Sequence, residues 1–285
     1  MPYLILFVFG LAIGSFINVL ALRYDGEHFI FDPKVIGGRS HCPRCKHVLR
    51  WFELIPLASF LVQGGACRHC RAKIGFQYPL VELLSGFIFA AVPAALAGYP
   101  WLVPAGWYVF SGLWIAALEI LLLIAYIDLR LGIVPDELTV FLGVVAIFEA
   151  IFAAAYLGPD RQSLLGSYAA PFGFYGNVWL GRLAAGAFGG AFFWFLVFVT
   201  DGRGMGMGDV KLGIPLGFLF GWPDVVLLYA VAFIVGAAVG IALILRARKT
   251  MKSAVPFAPF LTLAAAFVFF LGAPATAWYF RIIGL

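Results

Sequence analysis

Residues 103–127 read VPAGWYVFSGLWIAALEILLLIAYI, an apolar run holding one charged residue, Glu119, and ending against Asp128. In helical form such a run is about 38 Å long at 1.5 Å per residue, more than the roughly 30 Å of a bilayer's hydrocarbon core. Comparable runs lie at 3–22, 79–98, 137–157, 179–200, 223–245 and 255–283. A shorter one, 210–221, sits between Asp209 and the turn signal Gly221-Trp222-Pro223; it crosses only if tilted or sheltered by other helices. Counting it gives eight crossings. Composition agrees, because 64% of the 285 residues are hydrophobic and 12% charged, against about 45–50% and about 25% in a soluble domain. A mean hydropathy of +1.01 excludes a disordered chain, and four cysteines exclude a disulfide-dense secreted scaffold. The expected fold is an all-α polytopic membrane protein of about eight transmembrane helices, with a small cysteine-bearing domain between the first and second.

The net charge of +5 carries more information in its distribution than in its sum. Segments 23–78, 128–136, 201–211 and 246–252 hold sixteen Lys and Arg, whereas the opposite side holds Arg161, Arg182 and Arg281. Positive residues accumulate on the cytoplasmic side, so 23–78 is expected there and both termini outside. No nucleic-acid partner is expected. Only Met1-Pro2 precedes the first run and Arg23 follows it, the pattern of a retained span and not of a cleaved signal. The expected division is a first helix at 1–22, a cytoplasmic domain at 23–78 and a membrane-embedded domain at 79–285. No repeat of 20–50 residues is evident.

Every cysteine falls in 23–78: Cys42-Pro43-Arg44-Cys45 and Cys67-Arg68-His69-Cys70, with 21 residues between the pairs. A C-x2-C turn sets two thiolates on one edge of a tetrahedron, the geometry zinc requires, and four thiolates close its coordination shell. The expectation is a structural Zn2+ in a zinc-ribbon-like domain and not a catalytic metal. Disulfides or a redox pair are the competing reading, which a cytoplasmic location disfavours. His28, His41, His47 and His69 lie in or near the segment and are read as supporting groups rather than ligands.

Acids within spans are costly and mark functional sites by default. Asp136 and Glu137 begin a helix after Pro135, where the macrodipole favours them, and Asp160 and Asp224 fall in expected outer loops. Asp128 is different, since it ends a helix where the macrodipole opposes negative charge. An interfacial aspartate solvated beside Arg130 is the bland alternative. Asp209 closes Gly202-Arg-Gly-Met-Gly-Met-Gly208, a run that lets backbone leave regular helix, or else it caps the helix from Val210. Both acids are expected on the cytoplasmic side. Two neighbouring carboxyl groups, one protonated and one ionised, are what aspartyl proteolysis requires. The same acids would also serve a proton-coupled transporter, and the cysteine segment a membrane scaffold.

The chain resembles the type IV prepilin peptidases, the prepilin leader peptidase/N-methyltransferases of bacterial type IV pilus and type II secretion systems. The resemblance rests on Phe9-Gly-Leu-Ala-Ile-Gly-Ser-Phe-Ile-Asn-Val19, Arg39-Ser-His-Cys-Pro-Arg-Cys45, Leu49-Arg-Trp-Phe-Glu-Leu-Ile-Pro56 and Tyr78-Pro-Leu-Val-Glu-Leu83. It continues through Asp128 and Pro135-Asp136, Gly206-Met-Gly-Asp-Val-Lys-Leu212 and Val255-Pro-Phe-Ala-Pro-Phe260. It implies that Asp128 and Asp209 are the catalytic pair and that Gly206 and Gly208 support Asp209 in a G-x-G-D element. It also implies prepilin and pseudopilin substrates cut after Gly on the cytoplasmic side of the inner membrane, then N-methylated with S-adenosylmethionine. Ala258 departs from a glycine common in the family. Lys211 and Arg130 are expected to bias the protonation of the pair or else to snorkel as interfacial charges; Glu82, in the family-like Tyr78–Leu83 piece, is expected to contact the substrate amine or the methyl-transfer site that the resemblance implies, or to bond between helices. Membrane lipids surround the chain; its oligomeric state is not legible here.

Overall fold

The structure, a computed structural model, describes residues 2–97, 104–156, 163–165, 177–246 and 255–282. Asp160, Arg161, Arg248, Lys249 and Lys252 lie outside the described residues. Ten α-helices occur in them: α1 (Pro2–Arg23), α2 (Pro33–Ile36), α3 (Ala58–Val62), α4 (Gln77–Leu96), α5 (Pro104–Leu131), α6 (Asp136–Tyr156), α7 (Val178–Val199), α8 (Met207–Phe220), α9 (Asp224–Leu245) and α10 (Ala258–Ile282). Among the described residues β structure is limited to two isolated bridges. Seven helices are long and apolar enough to cross a membrane: α1, α4, α5, α6, α7, α9 and α10. The eighth expected crossing, α8, has 14 residues and thus a length of about 21 Å, short of a hydrocarbon core.

The chain divides into two units, Met1–Gly98 and Tyr99–Leu285. In the first, α1 and α4 approach so closely that a Cβ on Gly10 would lie 2.7 Å from the Ser85 carbonyl oxygen, and one on Gly14 2.7 Å from the Glu82 Cα. Small residues permit this contact, and polar groups reinforce it where lipid offers no competing partner. Ser85 Oγ donates to the Gly10 carbonyl at 2.7 Å, and Asn18 Nδ2 donates to the Tyr78 carbonyl at 3.1 Å. The segment between these helices carries α2, a 3-10 turn at Trp51–Glu53 and α3. Asp32 caps α2 by accepting from Lys34 N at 2.8 Å, and the Arg23 guanidinium donates to the Gly37 carbonyl.

In the second unit the tightest seam joins α7 and α8. A Cβ on Gly189 would strike the Gly213 carbonyl and the Tyr229 hydroxyl, one on Gly213 would lie 2.5 Å from the Phe193 ring, and one on Gly217 would strike the Ala185 carbonyl. Tyr229 also donates to the Gly213 carbonyl at 2.7 Å, tying α9 into the seam. Thr262 Oγ1 of α10 donates to the Leu121 carbonyl of α5 at 3.0 Å. Between them, Trp114 packs against Phe269 and Phe220, with ring centroids 4.5 and 5.3 Å apart.

Because neither backbone can retreat, Gly217→Val is expected to cost about 1–3 kcal/mol and to cut the yield of folded protein. Thermal unfolding in detergent measures this. Gly240→Ala is the control, since an added Cβ there meets nothing within 4 Å, and its melting temperature should stay level or rise slightly.

Candidate active site

Asp128 occupies the last turn of α5, which ends as it does because Gly132 adopts φ +69° and donates its N–H to the Asp128 carbonyl at 2.8 Å. The side chain is buried, 5% exposed. Its Oδ2 accepts from the backbone N–H of Ala258 at 3.1 Å, and Ala258 is the first residue of α10. A charge at the unfavourable end of one macrodipole therefore faces the favourable end of another. Pro259 in the first turn of α10 has no N–H to leave unpaired there.

Asp209 lies in the first turn of α8, 8% exposed, and its Oδ2 accepts from Gly206 N at 3.4 Å. A Cβ on Gly208 would sit 3.0 Å from the Val134 Cβ, so the start of α8 presses on the segment linking α5 to α6. Gly206 has φ −90° and an uncrowded Cβ position, so nothing in its geometry demands glycine. Lys211 Nζ contacts Asp136 Oδ1 and Oδ2 at 2.7 and 2.8 Å. Its ammonium is held by Asp136 at the start of α6 and joins the starts of α6 and α8. Asp209 is within Coulombic range of Asp128. Three helix ends thus bring two buried carboxyl groups together, one able to donate a proton while the other accepts one.

The cysteine segment is built from two copies of one knuckle, offset by 25 residues and too dissimilar in sequence to be read as a repeat. Cys42 N bonds the His47 carbonyl and Lys46 N the Cys42 carbonyl; Cys67 N bonds the Ala72 carbonyl and Arg71 N the Cys67 carbonyl, each at 2.9 Å. Lys46 and Arg71 take the matching left-handed φ of 59° and 56°. All four Sγ atoms lie within 4.8 Å of one another, and Cys42 and Cys70 are 3.8 Å apart. A tetrahedron with Zn–S of 2.3 Å has an edge of about 3.8 Å, so the residues fit the metal. Backbone N–H groups of Cys45 and Arg44 directed at the Cys42 sulfur bring its thiol down to about 7, which favours the thiolate. The histidines stand aside: His47 and His69 stack on each other, and His28 pairs with Asp25.

Asp224, expected in an outer loop, is instead fully buried and accepts from Ser163 Oγ at 2.5 Å and Leu164 N at 2.6 Å. Buried Glu149 pairs with buried Arg182, which donates to the Phe218 carbonyl at 3.1 Å and the Leu219 carbonyl at 2.5 Å. Arg182 therefore closes the C-terminal end of α8. This role was signalled only by an Arg and a Glu isolated in apolar runs. Glu82 is also buried; its Oε2 accepts from Leu57 N at 2.8 Å within the first unit.

The match to known proteins spans both halves of the chain. Residues 8–96 match the bacterial peptidase A24 N-terminal domain and residues 115–241 the type IV leader peptidase family. A prepilin leader peptidase/N-methyltransferase of Aeromonas hydrophila is 31% identical over 96% of this chain and 92% of its own length. The chain belongs to the type IV leader peptidase family. Relatives of the same name from Burkholderia pseudomallei and Bacillus subtilis are 34% and 28% identical, over 94% and 98% of this chain and 84% and 98% of theirs. No solved structure matches. Asp128 and Asp209 both fall within the stretch matched to the leader peptidases, and all four cysteines within the N-terminal match.

Purified protein is expected to carry one zinc per chain, and Cys→Ser changes to destabilise the cysteine segment. At limiting zinc, occupancy should fall as pH is lowered, because protons compete with the metal for the four sulfurs. Metal analysis across a pH series checks this; protein that carries no metal and has its cysteines in disulfides would contradict it.

Proposed function

We propose that this leader peptidase removes the leader of type IV prepilins and pseudopilins with Asp128 and Asp209 as its catalytic pair, and then methylates the new N-terminus. The observation that carries the catalytic assignment is the meeting of these two buried carboxyl groups from α5 and α8. The names of the relatives carry the substrate and the second activity.

In the cleavage step one carboxyl group, protonated, donates a hydrogen bond to the scissile carbonyl. Its ionised partner takes a proton from water as the oxygen attacks the carbonyl carbon. The tetrahedral intermediate collapses as a proton passes to the leaving nitrogen, giving a new carboxylic acid and a free amine. The pair ends with the same single proton it began with. Two acids within Coulombic range of each other do not both ionise cheaply, so the required asymmetry comes from the pair and titrates as its joint property.

The excess of Lys and Arg supports a multi-pass inner-membrane protein with the 23–78 segment in the cytoplasm and both termini periplasmic. A leader rich in positive charge would stay on that same side while the following apolar helix enters lipid. The scissile bond then falls at the boundary where α5 ends and α8 begins. Zinc held by Cys42, Cys45, Cys67 and Cys70 organises the 23–78 segment and leaves no position open for a reacting water. S-adenosylmethionine, when bound, supplies an electrophilic methyl group to the amine that cleavage frees. Gly206, Gly208 and Lys211 serve the pair at the start of α8, Gly206 through its backbone N–H to Asp209, Gly208 by its close approach to Val134 and Lys211 through its bond to Asp136.

Asp128→Asn and Asp209→Asn, each alone, are expected to lower prepilin cleavage by about 10²- to 10⁴-fold or more, with zinc content and melting temperature retained. Mass spectrometry of a prepilin incubated with each variant in detergent measures this. Near-normal cleavage by either variant would end the assignment.

A further inference from the structure

The first unit contains a cavity of about 520 Å³, within the range of small-molecule sites, walled by α1, α4 and the two cysteine knuckles. Ser15, Asn18 and Glu82 line it from the helices, and Lys46 and Lys73 from the knuckles. Two of these groups lack what their burial calls for. Asn18 is 2% exposed, and its Oδ1 accepts no hydrogen bond from any described residue although its Nδ2 is engaged. Such an atom is costly to bury unless something donates to it. Glu82 is 7% exposed; its hydrogen bonds come from Leu57 N–H and Ser15, and among the described residues no cation forms an ion pair with it. A carboxylate and a free amide oxygen in the lining call for a cation bearing N–H or onium charge, while Lys46 and Lys73 of the knuckles and Arg23 at the end of α1 call for an anion.

We propose that this cavity is where the chain binds S-adenosylmethionine, with the ligand's positive groups toward Glu82 and Asn18 and its carboxylate toward Lys46 and Lys73. The assignment rests on the reading of this chain as a methyltransferase. Sulfonium, ammonium and carboxylate on one small molecule match both poles of the cavity. Transfer of the methyl group leaves a neutral thioether, so the product keeps the ammonium and loses the charge that Glu82 attracts most strongly once desolvated. Tight binding of donor and easier release of product follow from the same side chain. Cys42 and Cys67 also line the cavity, so metal at the knuckles would hold one of its walls in shape.

The test is equilibrium binding of S-adenosylmethionine and S-adenosylhomocysteine to the zinc-loaded full-length protein in detergent. The wild type should prefer the donor over the product. Glu82→Gln keeps an oxygen for Leu57 N–H and should weaken donor binding by about tenfold or more while narrowing that preference. Asn18→Leu should weaken both ligands. Zinc content and melting temperature report whether each variant is folded. For any variant that is not, ultraviolet cross-linking of radiolabelled donor to the wild type gives the answer, with label expected in peptides from residues 15–82. Wild-type binding by folded variants, or label confined to residues 104–282, overturns the site. A peptide methylation assay separates the two levels of failure: a wild type that methylates while its variants bind normally refutes the site alone, whereas one that neither binds nor methylates refutes the methyltransferase reading with it.

Discussion

A fourteen-residue helix in a membrane protein must have both its ends satisfied by protein, because lipid offers backbone groups no partner. The rest of the second unit answers to that constraint on α8. At one end Arg182, itself neutralised by Glu149, donates to the carbonyls of Phe218 and Leu219. At the other, Gly206 and Asp209 cap each other's turn while Lys211 reaches Asp136. Glycines at 189, 213 and 217 let α7 lie against α8 at backbone contact, so the short helix is gripped along its length. The outcome is that Asp209 is held at the start of α8 with little freedom to leave.

Asp128 meets a complementary demand. A carboxylate at the C-terminal end of α5 is opposed by that helix's own dipole, and the opening N–H of α10 supplies the opposing field. Each acid is thus supported by backbone, Asp128 from a place in the sequence remote from it and Asp209 from its own helix start. Asp128 acts on Asp209 through its charge, which favours a state in which the two carboxyl groups share one proton. Preorganisation of this kind leaves little rearrangement to the reaction itself.

Much of this was legible in the order of residues. Apolar length disclosed the seven helices able to span and counted α8 as an eighth, C-x2-C pairs disclosed the cysteine cluster, and Asp128 drew attention because it sits where a helix disfavours it. What escaped were relations between distant backbones. Nothing in the local pattern announced that Ala258 N–H would meet Asp128, since a backbone donor has no side-chain signature. Asp224 read as a loop residue because it follows a Trp-Pro turn, yet Ser163 and Leu164 bury it. Lys211 was expected to act on the pair by its charge, whereas its ammonium is held by Asp136 and joins two helix starts. The twin knuckles were visible as two C-x2-C spacings, but their shared left-handed turns at Lys46 and Arg71 lie on residues that ordinarily avoid that conformation.

The account stands on Asp128 and Asp209 acting on one substrate carbon together. A prepilin peptide whose scissile amide is replaced by a hydroxyethylene group mimics the tetrahedral intermediate and can be imaged bound to the protein by cryo-electron microscopy. Its hydroxyl oxygen should lie within about 2.6–3.2 Å of a carboxyl oxygen from each aspartate. A hydroxyl resting against one of them alone, or against neither, would contradict the account.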